Sequence, residues 1–229
     1  MYNTNFLYIN SLTKSFENKL VLNNLSLEIN SPSIVSIVGS NGIGKSVLLN
    51  CMLNFINHDS GEIKILGQDN NDRIFLRKST ALVSSDHQQH LEKLTPKEYF
   101  HLIIDIYNIS KNEGIEKYVS LSKEINLFKD LDSNFSDLSF GTRKKVQLLG
   151  ALLYEPAILV CDEIFEGLDV ETVAWIKKIF IKLKEQGNVV LFTSHILQHT
   201  IEVCDEMYRL KDGQLHVYNK QDNNIEKDI

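Results

Sequence analysis

The segment GSNGIGKS at 39–46 has the spacing of a phosphate-binding loop, with Gly39, Gly44, Lys45 and Ser46 at its defining positions. Glycines allow the tight backbone conformations that point N–H groups at phosphate oxygens, and the helix that follows adds its N-terminal dipole. Lys45 would reach the β- and γ-phosphates, and Ser46 would hold Mg²⁺. We expect the rest of the loop to contact the nucleotide as well, through Ser40, Asn41, Gly42, Ile43 and Val47. The alternative, a glycine turn before an ordinary helix, is disfavoured by the apolar run before the loop and the helical pattern after it.

Two consecutive acids follow an apolar run in the segment ILVCDE at 158–163. A strand here would deliver both carboxylates at its C-terminal end, where doubly wound folds bind their ligands. Asp162 would orient Mg²⁺, and Glu163 would polarise the attacking water. The alternative is a pair of solvated acids at the end of a strand. The presence of a phosphate-binding loop in the same chain disfavours it.

A histidine follows the next apolar segment, as Ser194-His195 after residues 188–193. From that position His195 could contact the γ-phosphate or the water. A lone histidine is more often structural, so the residues alone favour a structural role.

The elements that must position these residues follow from hydrophobic periodicity. Alternating or short apolar runs predict strands, and 3.6-residue periodicity predicts helices. The predicted strands are 6–9, 21–29, 34–38, 62–66, 157–161 and 188–193, with a hairpin formed by 208–210 and 214–218 around Asp212-Gly213. Helices are predicted directly after the phosphate-binding loop, over 170–186 and over 196–204.

Residues 90–150 carry helical patterns and lack strand signals. Thr95, Pro96 and Glu98 form a capping-box sequence that predicts a helix to about 107. Ser110 and Glu113 repeat the pattern and predict a second helix to about 126. We interpret this stretch as an inserted helical subdomain.

Composition bounds the class of protein. The 229 residues, 43% of them hydrophobic, suffice for one large domain, and a net charge of −6 argues against a nucleic-acid partner. Three irregularly spaced cysteines do not indicate a disulfide framework. We find no signal peptide and no apolar stretch of transmembrane length, so we expect a soluble, cytoplasmic protein.

The order of the phosphate-binding loop, LSFGT at 138–142, ILVCDE, EGLD at 166–169 and TSH at 193–195 resembles the nucleotide-binding domain of ABC transporters, over roughly 5–218. The resemblance implies an α/β fold: a P-loop NTPase with a mainly parallel sheet core, an N-terminal antiparallel β subdomain and an inserted α-helical subdomain. It implies one ABC ATPase domain over 1–220, with 1–87 and 151–220 as the core, 88–150 as the helical signature subdomain and 221–229 as a polar tail.

The segment LSFGT matches the family's LSGGQ signature, which opens a helix. The resemblance implies that Ser139, Gly141 and Thr142 contact the ATP held by an opposite subunit. Phe140 replaces the usual first glycine and Thr142 the usual glutamine, so these contacts depart from the family pattern. Without the resemblance, Ser139 is simply a good helix N-cap.

Further roles also come only from the resemblance. Phe16 matches the aromatic residue that stacks on adenine, although a core phenylalanine is the alternative. Asp169 matches an aspartate at the dimer interface, and His195 matches the family's switch histidine. The glutamine that binds Mg²⁺ and senses the membrane partner is replaced by Asp86, with Gln88 as the other candidate.

The resulting hypothesis is an ATP-hydrolysing subunit that binds ATP and Mg²⁺ and pairs with a second ATP-binding subunit, the same chain or a related one. It would drive a separate transmembrane transporter subunit from the cytoplasmic face of the membrane, as a peripheral protein. The segments LSFGTRKKV and EIFEGLD resemble those of exporters more than those of importers, which favours an exporter of drugs, peptides or antibiotics. A soluble ABC ATPase of an assembly system such as iron–sulfur cluster biogenesis, and a weakly hydrolysing regulatory module, stay open.

Overall fold

Two sheets organise the chain in a computed structural model that describes residues 5–84 and 91–218. The strands are β1 (Leu7–Phe16), β2 (Lys19–Ile29), β3 (Ile34–Val38), β4 (Ser60–Ile65), β5 (Gln68–Asp69), β6 (Thr80–Val83), β7 (Ile158–Cys161), β8 (Val189–Ser194), β9 (Glu206–Lys211) and β10 (Gln214–Val217). The helices are α1 (Lys45–Met52), α2 (Arg73–Ser79), α3 (Pro96–Ile106), α4 (Lys111–Glu124), α5 (Phe140–Leu153), α6 (Val170–Glu185) and α7 (Leu197–Ile201).

The larger sheet has six strands in the order β10-β9-β3-β8-β7-β6. Strands β9, β3, β8, β7 and β6 pair in parallel, and β9 and β10 form an antiparallel hairpin. Strands β3, β7 and β8 are buried along their whole length, as expected of parallel strands covered on both faces. The C-terminal ends of these three neighbours therefore meet at one edge of the sheet.

The smaller sheet is antiparallel, in the order β2-β1-β4-β5. Its apolar side chains, together with α1 and one face of the larger sheet, form a first core. A second core lies between the other face of the larger sheet and helices α5 and α6.

Helices α3, α4 and α5 enclose a third core around Phe100, Phe135 and Leu149, all fully buried. These elements agree with the predicted α/β fold class, which is confirmed, and with a helical region between the phosphate-binding loop and β7. The domain division stays a prediction: α5 crosses position 150, while position 87 and the tail 221–229 lie outside the described residues.

Several sequence predictions need correction. Strand β1 extends to Phe16 rather than to residue 9, because bulges between Ile9 and Ser15 break the alternation that the prediction relied on. Ser110 caps α4 without a side-chain hydrogen bond, so the predicted capping box does not form, whereas the one at Thr95 and Glu98 does. Helix α7 ends at Ile201 rather than at residue 204.

Helix α2 and strands β5 and β6 were not predicted at all. Helix α2 is only seven residues long, and its clearest signal is Asp72, whose side chain accepts hydrogen bonds from the backbone of Ile74 and Phe75. Strand β6 follows it directly and forms the edge of the larger sheet. Among the described residues, none of the helices is both long and apolar enough to cross a bilayer.

Candidate functional site

The phosphate-binding loop leaves the centre of the parallel sheet, after β3, and leads into α1. Gly42 and Gly44 have φ values of +76° and +119°, in the left-handed region that favours glycine. A Cβ atom at Gly44 would also lie 2.8 Å from Val21 Cγ1. Both the backbone conformation and the packing therefore require glycine at position 44.

An open cavity of about 460 Å³ borders this loop. Its lining combines loop residues with acids from the end of β7 and a valine from β2, namely Val21, Asn41, Gly42, Gly44, Lys45, Ser46, Val47, Glu163 and Glu166. Phe16, the predicted adenine contact, is not part of this lining. Its ring is 43% exposed and lies 5.1 Å from the ammonium of Lys14.

The loop and the acids after β7 are in direct contact. The Ser46 hydroxyl donates to Asp162 Oδ2 at 2.7 Å, although 116 residues separate them in sequence. Asp162 is buried, and its other oxygen, Oδ1, accepts from the Thr193 hydroxyl at 2.6 Å. This juxtaposition is the one on which the sequence interpretation depended.

Thr193 also joins the two acids to each other. Its hydroxyl accepts the backbone N–H of Glu163 at 2.9 Å while it donates to Asp162. Sequence reasoning missed this role and used Thr193 only as part of the TSH motif. The signal lies in the sheet order, since β8 is the strand between β3 and β7.

Glu163 is held at both carboxylate oxygens. Oε1 lies 3.0 Å from the ammonium of Lys45, and Oε2 lies 2.8 Å from His195 Nδ1 and accepts the His195 backbone N–H at 3.1 Å. Lys45 also donates to the carbonyls of Gly39 at 2.6 Å and Ser40 at 3.1 Å. The predicted catalytic residues Glu163, His195 and Lys45 thus form one connected group.

The signature segment begins α5, as the resemblance implies. Ser139 is the N-cap, and its hydroxyl accepts the backbone N–H of Thr142 at 3.2 Å. A Cβ atom on Gly141 would lie 2.7 Å from the carbonyl oxygen of Gly167, so the start of α5 packs closely on the loop that follows Glu163. Within one chain these residues lie beside that loop rather than in the cavity at the phosphate-binding loop.

Asp169 is the N-cap of α6. Its carboxylate accepts from the backbone N–H of Thr172 at 2.8 Å and lies 3.2 Å from the ammonium of Lys145. These bonds, the one from the Thr172 backbone first, lower the pKa of Asp169 to about 2. The predicted Asp86 and its alternative Gln88 lie outside the described residues.

A buried lysine on α5, Lys144, is a second residue that sequence reasoning missed. Its ammonium donates to the carbonyls of Glu163 and Glu166, and no short-range pattern reveals these contacts. Burial lowers the pKa of Lys144, and the nearby acids Glu166, Glu163 and Asp162 oppose that shift.

Comparison with known proteins agrees with this geometry. The family model described as "ABC transporter" matches residues 22–166. The lipopolysaccharide export system ATP-binding protein LptB of Haemophilus influenzae is 29% identical over 208 residues, which are 90% of this chain and 86% of that protein. The galactose/methyl galactoside import ATP-binding protein MglA of Clostridium perfringens is also 29% identical, over 92% of this chain but only 42% of that protein.

A solved structure titled "Structure of ATP binding subunit of ABC transporter" superposes with a TM-score of 0.87 at 25% identity. It covers 95% of this chain, which in turn covers 91% of that one. The family match, the shared fold and the contact between the phosphate-binding loop and the acids after β7 lead to one conclusion: the chain belongs to the ABC transporter family, as an ATP-binding, ATP-hydrolysing subunit.

Proposed function

We propose that the chain binds ATP together with Mg²⁺ at the 39–46 loop and hydrolyses it to drive a separate transmembrane subunit. The single observation that carries this proposal is the hydrogen bond between Ser46 and Asp162 at 2.7 Å. It brings the loop that would hold the phosphates within reach of the two acids that hydrolysis needs.

The residues around that bond fit a magnesium ion. Mg²⁺ prefers hard oxygen ligands and keeps several waters, so a hydroxyl and a carboxylate 2.7 Å apart are suitable partners. Ser46 and Asp162 would hold the ion, which would neutralise charge on the phosphate oxygens. Asp86 is proposed as a further ligand on the resemblance alone.

The triphosphate would replace the present partners of Lys45. Its ammonium, now bound to two loop carbonyls and to Glu163, is positioned for the β- and γ-phosphates at the mouth of the same loop. The loop residues Ser40, Asn41, Gly42, Ile43 and Val47 would surround the phosphates. Phe16, which is 43% exposed, would stack on adenine.

Glu163 would direct a water molecule in line onto the γ-phosphate once Lys45 turns to the nucleotide. His195, bonded to Glu163 Oε2, would orient the carboxylate and support the charge that develops in the transition state. Thr193 would keep Glu163 and Asp162 at a fixed spacing, because its hydroxyl bonds both.

A second ATP-binding subunit would complete the site. In a head-to-tail pair, Ser139, Gly141 and Thr142 of one subunit would cover the ATP of the other, and Asp169 would lie at the interface. The start of α5 supports this role because a helix N-terminus and a serine hydroxyl both suit a phosphate.

The transported cargo would be recognised by the transmembrane subunit, with this chain peripheral at the cytoplasmic face. We infer an export direction, for drugs, peptides or antibiotics. The support is the resemblance of the LSFGTRKKV and EIFEGLD segments and the near full-length alignment with a protein of an export system. The import relative is matched over less than half of its length.

The test replaces Glu163 by glutamine in the full chain. Glu163→Gln should retain MgATP binding, lose turnover by at least about 10²-fold and accumulate an ATP-bound dimer in size-exclusion chromatography with light scattering. Glu185→Gln, at the exposed end of α6, serves as the matched control and should behave as the wild type. Wild-type turnover in Glu163→Gln would exclude Glu163 as the residue that activates water.

A further inference from the structure

Lys144 is buried at the centre of the contact between α5 and the loop that follows β7. Its side chain is 1% exposed, and its ammonium donates to the carbonyl of Glu163 and, at 3.0 Å, to the carbonyl of Glu166. The Phe140 ring lies over the same ammonium, with its centroid at 4.5 Å. The lysine thus exchanges its water shell for two carbonyls and an aromatic face.

Such an arrangement constrains the loop as well as the lysine. A buried cation is tolerated only when acceptors replace the lost water, so displacement of either carbonyl would leave the ammonium under-solvated. The loop 163–166 is therefore favoured in the position where both carbonyls meet Lys144. Neighbouring acids, Glu166 first, add favourable charge around the ammonium.

Glu163 is the residue on which this constraint acts most directly. Its φ is +47°, an uncommon conformation for a residue with a side chain, which persists only when its surroundings enforce it. Thr193 holds the backbone N–H of Glu163, and Lys144 holds its carbonyl. The peptide groups on both sides of the Glu163 Cα atom are thereby fixed, and with them the direction of the carboxylate.

The other end of this connection is the start of α5. Lys144 lies little more than one turn after the N-cap Ser139, and Gly141 packs against the Gly167 carbonyl. We propose that Lys144 is a positioning residue for hydrolysis. Through Lys144, the position of the α5 N-terminus determines the direction of the Glu163 carboxylate. The inference rests on the proposed function, in which Ser139 and Gly141 meet the ATP of the second subunit. When the start of α5 in one subunit closes on the ATP of the second subunit, Lys144 would align Glu163 with the ATP of its own subunit.

The test compares Lys144→Met with the wild type in the full chain. Methionine keeps the length and apolar stem but removes the charge and both donated hydrogen bonds. We expect kcat to fall by about tenfold or more, since small misplacements of a catalytic group are costly, while the KM and the affinity for MgATP stay near wild-type values. Lys144→Gln retains one donor group and should lose less kcat than Lys144→Met.

Lys123→Met is the matched control, because Lys123 also lies over an aromatic ring, that of Phe128 at 5.2 Å, but is exposed on α4 and far from the loop in sequence. It should leave kcat unchanged. A cooperative thermal unfolding transition shows that each variant is folded, and the stoichiometry of MgATP titration gives the concentration of binding-competent protein. The kcat values are calculated from that concentration. If Lys144→Met does not fold, the same comparison is made with Lys144→Gln.

A loss confined to kcat supports the positioning role. Wild-type kcat per folded protein, or an equal loss of kcat and of MgATP affinity, overturns it in favour of a purely structural lysine. If the wild type itself shows no turnover that depends on Glu163, the proposed function fails and this inference with it. If turnover depends on Glu163 but not on Lys144, only this inference fails.

Discussion

The ammonium of Lys45 lies 3.0 Å from Glu163 Oε1, and the two side chains are only 5% and 12% exposed. The residue proposed to hold the phosphates is thus paired with the residue proposed to activate water. Binding of a triphosphate would have to exchange this ion pair for contacts with phosphate, so that the carboxylate becomes available only when nucleotide is present. An acid and a lysine paired in this way couple substrate binding to the release of the catalytic group.

Lys45→Met tests the phosphate contact. Charge-assisted hydrogen bonds contribute about 1.5–3 kcal/mol, so we expect the affinity for MgATP to fall about 10- to 100-fold. Isothermal titration with a non-hydrolysable ATP analogue measures it. Lys178→Met, at an exposed position on α6, should bind as the wild type does. An unchanged affinity in Lys45→Met would contradict the assigned role.

His195→Ala tests the partner of Glu163 Oε2, which lies 2.8 Å from His195 Nδ1. Removal of the imidazole frees the carboxylate from its orienting contact, so kcat should decrease by about 10²-fold with little change in MgATP affinity. Steady-state phosphate release provides the measurement. The exposed His216 on β10 gives the control, since His216→Ala should retain full turnover. A fall in affinity without a fall in kcat would assign His195 to binding instead.

A pair of helix N-caps tests the local structure of the helical region. Thr95 forms a complete capping box with Glu98, whereas Ser110 makes no side-chain bond at the start of α4. Thr95→Ala should therefore lower the free energy of unfolding by about 1 kcal/mol, and Ser110→Ala should lower it far less. Urea unfolding followed by circular dichroism measures the free energy of unfolding of both variants. Equal losses would show that the capping hydrogen bonds do not determine this free energy.

Asp169 gives a pH-dependent contribution to stability. Its pKa in the folded chain is lowered to about 2, below the ordinary value of 3.8, chiefly by the Thr172 backbone N–H. A lowered pKa stabilises the fold above the ordinary pKa, and the contribution is lost as pH falls toward the folded value. The stability difference between wild type and Asp169→Ala should be about 1 kcal/mol at neutral pH and shrink between about pH 4 and pH 2.

Asp169→Asn separates the cap from the charge. Asparagine still accepts the Thr172 N–H but does not titrate, and the carboxylate is more than half exposed, so its ion pair with Lys145 contributes little. We expect the asparagine variant to lie between the wild type and Asp169→Ala in stability at neutral pH, because a neutral oxygen makes a weaker hydrogen bond than a carboxylate. A loss as large as that of the alanine variant would assign the whole effect to the charge of the carboxylate and none to the hydrogen-bond acceptor alone.

Local patterns predicted the elements that have a strong period or a sharp start. The bounds of β3 agree with the prediction, and α6 begins at Val170 as expected, after its Asp169 cap. Patterns failed where the chain is irregular, as at the bulges of β1, or where an element is too short to show a period, as in α2. Ser110 shows that a capping sequence does not ensure the capping bonds.

The site was predictable as a set of motifs but not as a set of contacts. The P-loop and the two acids could be named from their spacing, and the parallel sheet explains why they meet. The ties made by Thr193 and Lys144 depend on which strands and helices are neighbours, and the positive φ of Glu163 depends on those ties. Information of that kind lies between distant segments and not within any one of them.

The position of β3 in its sheet has a consequence for synthesis on the ribosome. Both neighbours of β3 come from the last quarter of the chain, β8 on one side and β9 on the other. The nascent strand that leads into the phosphate-binding loop, apolar except for Ser36, therefore stays without its neighbouring strands until about 150 further residues have been made and have emerged from the exit tunnel. The interval leaves an aggregation-prone edge open, and early chaperone contact with residues 34–38 would cover it.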